Sequence, residues 1–205
     1  ADASEQAIVP LISAAESLTV TGDLRRGQQL LDEVDRAIDE IGLRADDELR
    51  ADALATRARN HLAMGDFEHA RKLAERLRKM AVDNGITRRE AEGLSIAAES
   101  QRMQGKQQRA YAEATEALSL FEKVADPRGM AQTYRTLGHV SMDAGRIDDA
   151  EQELTRAGEC ALEAGDELLA QACTIRLIDV YLTRDDYASA TAHVDKAMEV
   201  VRRHG

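Results

Sequence analysis

Four residues able to carry charge or a proton recur at a spacing of 40: Arg59, Glu99, His139 and Asp179. Arg135, His139 and Asp143 also fall at i, i+4 and i+8, one face of a helix. Such a set supports two kinds of chemistry. The charges can neutralise one another in a ladder between repeats, or they can line a polar surface that takes a charged peptide or small ligand. The carboxylates flanking His139 favour its protonated form, so binding there is expected to respond to pH. No second histidine stands at ligand spacing, which argues against a metal. No Ser-His-Asp arrangement, glycine-rich phosphate loop or paired catalytic carboxylate is legible. The expectation is a binding protein without catalytic residues, metal or cofactor.

Composition narrows the partner. The chain has 205 residues with 38 acidic and 27 basic side chains, a formal net charge of −11. Nucleic-acid binders carry a basic footprint, so that class is disfavoured. Charges interrupt every apolar run before it reaches membrane-spanning length. Nothing in the first ten residues has the basic start and apolar run of a secretory signal. The two cysteines, Cys160 and Cys173, are too few for a disulfide framework and are expected to be buried thiols in a cytoplasmic protein. The first residue is Ala1, from which a piece of a longer protein is expected. The basic run Arg71, Lys72, Arg76, Arg78 and Lys79 reads first as a solvated helix face.

The elements that must position these side chains repeat. Gly65, Gly105 and Gly145 are 40 residues apart, with Asp185 at the next step. Five residues after each stands an alanine: Ala70, Ala110, Ala150 and Ala190. Small residues precede the first three turns at Ala58, Ala98 and Gly138. They are expected to bring two helices close, Gly138 against Ala150 among them. An earlier block joins the register through Gly22, Gly27, Leu31 and Val34 if an insertion lies near Arg44 to Glu48. Gly42, Gly85 and Gly165 close three of the blocks. With 2 prolines and abundant helix formers, each block reads as a pair of helices. Asp126-Pro127 and Asp166 look like helix starts, and Thr87 to Glu90 like a capping box.

This pattern resembles the tetratricopeptide repeat family in a 40-residue, bacterial-type form. Tyr134, Leu137, Gly138, Ala150, Leu154 and Ala157 carry the resemblance best, with Leu177, Tyr181, Ala190 and Ala197 in the last block. Arg57 and Ile178 depart from it, standing where Leu and a small residue are usual. The resemblance implies an all-α, α-α superhelix of about five helical hairpins. The repeats run over about 8–47, 51–90, 91–130, 131–170 and 171–205 of a single domain spanning 1–205. It also implies a groove lined by the first helix of each pair. Carried over residue by residue, the groove holds Arg59, Glu99, Arg102, Gln132, Arg135, His139, Asp143, Arg176 and Asp179. Asp52, Thr56, Glu92, Ile96, Met103 and Thr136 are expected beside them. The family's clamp for chaperone C-termini needs Lys and Asn where Ala55, Arg59, Ser95 and Ile96 stand, so that role is disfavoured.

The function expected on these grounds is a non-enzymatic scaffold that binds a protein or peptide, as the regulatory part of a bacterial signalling or transcription-control protein. The alternative is a small-ligand sensor that controls an attached enzyme such as a nucleotide cyclase. Val194, Ala197, Met198 and Val201 form an apolar stripe on the last helix, from which a homodimer is expected.

Overall fold

The computed structural model describes the backbone of residues 3–41 and 47–204 and the side chains of 8–40, 48–199 and 202. Gly42 and the expected insertion at 44–46 lie outside the described residues. All ten elements are helices: α1 (Ala3–Thr21), α2 (Leu24–Ile41), α3 (Asp47–Ala63), α4 (Phe67–Asn84), α5 (Thr87–Met103), α6 (Gln107–Lys123), α7 (Pro127–Asp143), α8 (Ile147–Glu163), α9 (Glu167–Thr183) and α10 (Tyr187–His204). The expectation of five helical pairs holds.

From α3 onward every helix begins 20 residues after the one before it, and the cause is a backbone device repeated at each end. Gly65, Gly85, Gly105, Gly145 and Gly165 all have φ between +70° and +80°. The same ladder is filled at Ala125 (φ +50°) and Asp185 (φ +58°). This left-handed residue folds the chain back on the helix it ends, and the next amide bonds to a carbonyl five residues earlier. Those bonds run from Asp66 N to His61 O (2.9 Å), Ile86 N to Ala81 O (2.8 Å), Arg146 N to Ser141 O (2.8 Å) and Asp166 N to Ala161 O (2.8 Å). They are the outer bonds of Schellman turns and satisfy carbonyls that a helix end leaves open.

The residue that closes one helix also caps the next. Asp126 accepts from Gly129 N at 3.0 Å, Asp166 from Leu169 N at 3.0 Å and Asp186 from Ser189 N at 3.1 Å. The capping box expected at Thr87 is a correction. The two-residue connection, Gly85 and Ile86, places Ile86 at the cap, Thr87 is already helical, and no side chain caps α5.

The helices form two compact units, Ala1–Gly105 with α1–α5 and Lys106–Gly205 with α6–α10. In the first, each helix packs on its neighbour in the chain, and α1 touches α3 as α3 touches α5. In the second, α6 to α10 pack in sequence and α7 touches α9. The odd-numbered helices within a unit therefore adjoin one another. No pair of even-numbered helices does so among the described residues. Even-numbered helices stand apart with an odd-numbered helix between them.

Small side chains make this packing close. Ala51, Ala55, Ala58 and Ala74 surround Leu77 and Ile96 in one core of the first unit. Ala150, Leu154, Leu177 and Val180 make one in the second. Burying a leucine such as Leu77 or Leu154 is worth about 1.5–3 kcal/mol. A Cβ on Gly138 would lie 2.6 Å from Leu154 Cγ, so Gly138 makes room for Leu154 and not, as expected, for Ala150. Gly129 likewise yields to the buried ring of Phe121, and Gly27 to the amide of Asn60. That fully buried amide donates to Thr19 Oγ1 at 3.0 Å and to Leu24 O at 3.2 Å, tying α3 to the first helical pair.

Arg57, the departure from a leucine, packs at 13% side-chain exposure between Asp32 and Asp35 of α2, 2.8 Å from each. Burial lifts the Asp35 carboxyl above its usual range, and Arg57 opposes that lift.

An L-residue with a left-handed backbone costs about 1–2 kcal/mol, part of which glycine returns as unfolded-chain entropy. Ala125→Gly is therefore expected to stabilise the chain by about 0.5–1 kcal/mol in urea unfolding. A loss of stability would contradict the turn geometry.

Candidate functional site

The residues expected to line a groove separate into those that neutralise one another and those that stay accessible. In the first unit, α3 and α5 face each other through charge. Glu92 is 8% exposed and accepts from Arg89 at 2.7 Å and from Arg59. Arg89 also pairs with Asp52 and, at 3.1 Å, with Glu48. Burial works against the Glu92 charge, but Arg59 and Arg89 together outweigh it and hold this carboxyl below the usual range. At Asp52 burial prevails over Arg89, and its carboxyl is raised.

Arg59 therefore meets Glu92 rather than Glu99, its counterpart 40 residues on. Glu92 lies seven residues before Glu99, about 10 Å along the helix axis. Spacing by 40 aligns positions in the repeat but does not align the side chains that touch. Glu99 is instead held by Arg102 on its own helix, through bonds of 2.8 and 2.9 Å.

Several residues expected to face a ligand are buried, which corrects those expectations. Thr56, Glu92, Ile96 and Thr136 are all under 9% exposed. Adjoining odd-numbered helices cover them, and Ile96 belongs to the core formed with α3 and α4. Met103 remains 46% exposed.

In the second unit the expected residues sit on α7 and α9. Gln132, Arg135 and His139 are half-buried, and Asp143 is exposed. Gln107 Nε2 reaches Asp143 at 3.5 Å. Arg176 and Asp179 pair at 3.1 Å with side chains 52% and 45% exposed, within reach of a partner. Thr136 donates to the Gln132 carbonyl at 3.2 Å, which turns its hydroxyl away from solvent.

Other singled-out residues have structural roles. Cys160 and Cys173 are buried in one cluster with Ala157 and Ala161. Burial raises both thiols, Cys173 to about 11, which leaves them inert as nucleophiles near neutral pH. Tyr111 lies at the edge of the packing rather than in the core. It is half-buried, and the Arg146 guanidinium lies 4.4 Å from its ring centre. In the basic run, Arg71 pairs with Glu68 at 2.9 Å and also with Glu75.

The apolar stripe on α10 is partly open. Val194 and Met198 are 42% and 46% exposed, and Ala197 is half-buried. The Val201 side chain lies outside the described residues. The neighbouring α9 adds Leu168, Ile175 and Leu182, all exposed. Their spacing of seven marks a second stripe that the sequence reading passed over, because attention to α10 left the apolar character all around α9 unread.

A second feature was also missed. A cavity of about 600 Å³ opens between α8, α9 and α10, floored by Leu154, Cys173 and Leu177. Among the described residues no group of His, Cys, Asp and Glu is placed to hold a metal ion. No described helix is long and apolar enough to cross a membrane.

The α3–α5 network gives a pH test. A depressed Glu92 pKa contributes stability that is present above its unfolded value, about 4.3, and is lost as pH falls through the folded one. The raised Asp52 acts in the opposite sense. Glu92→Ala leaves Arg59 and Arg89 without their shared carboxylate and is expected to cost about 3 kcal/mol at pH 7. The gap to wild type should narrow below about pH 4 in denaturant titrations. A gap independent of pH would contradict the network.

No protein-family model and no curated protein matches the sequence. Solved structures do. BtubC (BKLC) from P. vanneervenii superposes with a TM-score of 0.74 at 24% identity, covering 98% of this chain and 82% of that one. A Rap protein complexed with Competence and Sporulation Factor gives 0.83 at 14% identity over 92% of this chain, which spans about half, 52%, of that protein. Kinesin light chain TPR-like repeats from Podosopora anserina give 0.67 at 15% identity, over 100% of this chain and 98% of that one. With helical pairs on a 40-residue period and neighbours of this kind, the chain has the tetratricopeptide-repeat fold.

Proposed function

We propose that the chain is a non-enzymatic scaffold that binds a protein or peptide on the exposed polar face of α7 and α9. The observation that supports this is the contrast between the two units. The α3–α5 charges are consumed by one another around Glu92, whereas Arg176, Asp179 and Asp143 remain exposed on successive odd-numbered helices. A partner with both signs of charge can exchange ion pairs there without dismantling a core. The Rap neighbour is itself described in complex with a factor, which accords with a binding role for such a fold. In this reading the chain is the interaction part of a longer bacterial signalling or transcription-control protein in the cytoplasm. Self-association through Val194, Ala197, Met198 and Val201 belongs to the same proposal.

A peptide selection against the full chain tests it. Selected peptides should bind with affinity that falls as salt rises, because exposed charges are screened. Arg176→Ala and Arg135→Ala should each weaken binding about tenfold with little change in melting temperature. Selected peptides that bind both variants as well as wild type would contradict the assignment. For self-association, light scattering should read a dimer that Met198→Glu converts to monomer. A monomeric wild type would remove that part.

A further inference from the structure

The cavity between α8, α9 and α10 lies away from the polar residues discussed above, and its origin is legible in the repeat. On α6 Leu118 is half-buried, and on α7 Met130 and Tyr134 pack against a core shared with α8 and α9. Forty residues on, the same positions hold Gly158, Ala170 and Thr174, and all three line the cavity. Three large side chains have become small together, on two different helices that face one space.

Gly158 has no packing reason to be glycine. A Cβ there would meet only Cys173 Cβ, at an ordinary contact of 3.8 Å. Glycine inside a helix lowers its stability, so this position gives up helix propensity and leaves open volume. Leu162, 60% exposed, and Tyr181, whose ring lies 4.9 Å from the His193 ring, complete the cavity's apolar lining. The volume, about 600 Å³, is that of a small-molecule site.

The rim decides the charge of the occupant. Glu151 is held by Arg184 and by the Tyr181 hydroxyl at 2.9 Å, and Glu159 by Arg156 at 2.6 Å. These two carboxylates have partners, and the other charged lining residues, Glu167 and Lys196, are opposite in sign, so the lining as a whole carries no excess charge that calls for an ion. The missing Tyr134 equivalent leaves room for a ring. His193 Nδ1 lies 2.9 Å from the Ser189 carbonyl, to which it donates, and Nε2 is left as the ring's second hydrogen-bonding atom.

We propose that this cavity binds a neutral, ring-bearing apolar small molecule, with a hydrogen-bonding group at the His193 end. The occupant takes the place of the side chains that the preceding repeat supplies from Leu118, Met130 and Tyr134.

N-phenyl-1-naphthylamine, a neutral three-ring diarylamine that fluoresces in apolar surroundings, is a suitable probe for the full chain. Saturable one-to-one binding is expected. Gly158→Leu and Thr174→Tyr, singly and together, restore the preceding repeat's residues and should weaken the probe by about tenfold or more. Their melting temperatures should be equal to or above wild type. Val20→Glu, at a position of α1 that is 79% exposed, should bind as wild type. Three results would overturn the proposal: no saturable binding, equal binding by both single variants, or loss of binding in Val20→Glu. Either single variant suffices if the double variant does not fold.

Discussion

The left-handed residue at the end of each helix is the constraint on which the remaining structure depends. It fixes helix length, because α3 to α9 cannot continue past Gly65, Gly85, Gly105, Ala125, Gly145, Gly165 or Asp185. It fixes direction, because the following amide returns to the helix just ended. Where the next residue is Asp66, Asp126, Asp166 or Asp186, its side chain also caps the following helix. A strict 20-residue module follows, and with it the recurrence of alanines and glycines where helices meet. Each left-handed L-residue costs about 1–2 kcal/mol, so five of the seven positions being glycine is the inexpensive solution.

The packing scheme then determines what is available to a partner. Because odd-numbered helices adjoin within a unit, charged residues on α3 and α5 are drawn into the space between them. Two arginines on Glu92 make a closed arrangement in which a buried carboxylate is tolerated. On α7 and α9, Asp143, Arg176 and Asp179 stay accessible. Because even-numbered helices stand apart, the space between α8 and α10 depends on side-chain volume alone. One repeat earlier the equivalent positions carry Leu118, Met130 and Tyr134, whereas here Gly158, Ala170 and Thr174 line open space.

Much of the architecture was legible in the sequence, since a repeat writes its own register. Gly65, Gly105 and Gly145 marked their turns, and Asp126 and Asp166 their caps. The interleaved half of the ladder was less legible, because Ala125 and Asp185 do not look like turn residues with positive φ. Thr87 misled for a related reason: its pattern suits a cap, but the turn length leaves that position to Ile86. The candidate site was legible only in part. Arg176 and Asp179 are exposed as their positions imply, whereas Thr56, Ile96 and Thr136 are covered by the adjacent helix. Residue spacing does not encode the offset between packed helices, so the 40-residue row places Arg59 level with Glu99 whereas its side chain meets Glu92. The cavity required volumes to be compared between repeats, which motif matching does not do.

Backbone amide hydrogen exchange tests the modular turn most directly. The amides of Asp66, Ile86, Asp126, Arg146, Asp166 and Asp186 lie outside the helices, yet each is bonded to a carbonyl five residues back. The account predicts protection at these six amides comparable with the ends of the helices they close. Exchange at the rate of an unstructured chain at these positions would contradict it.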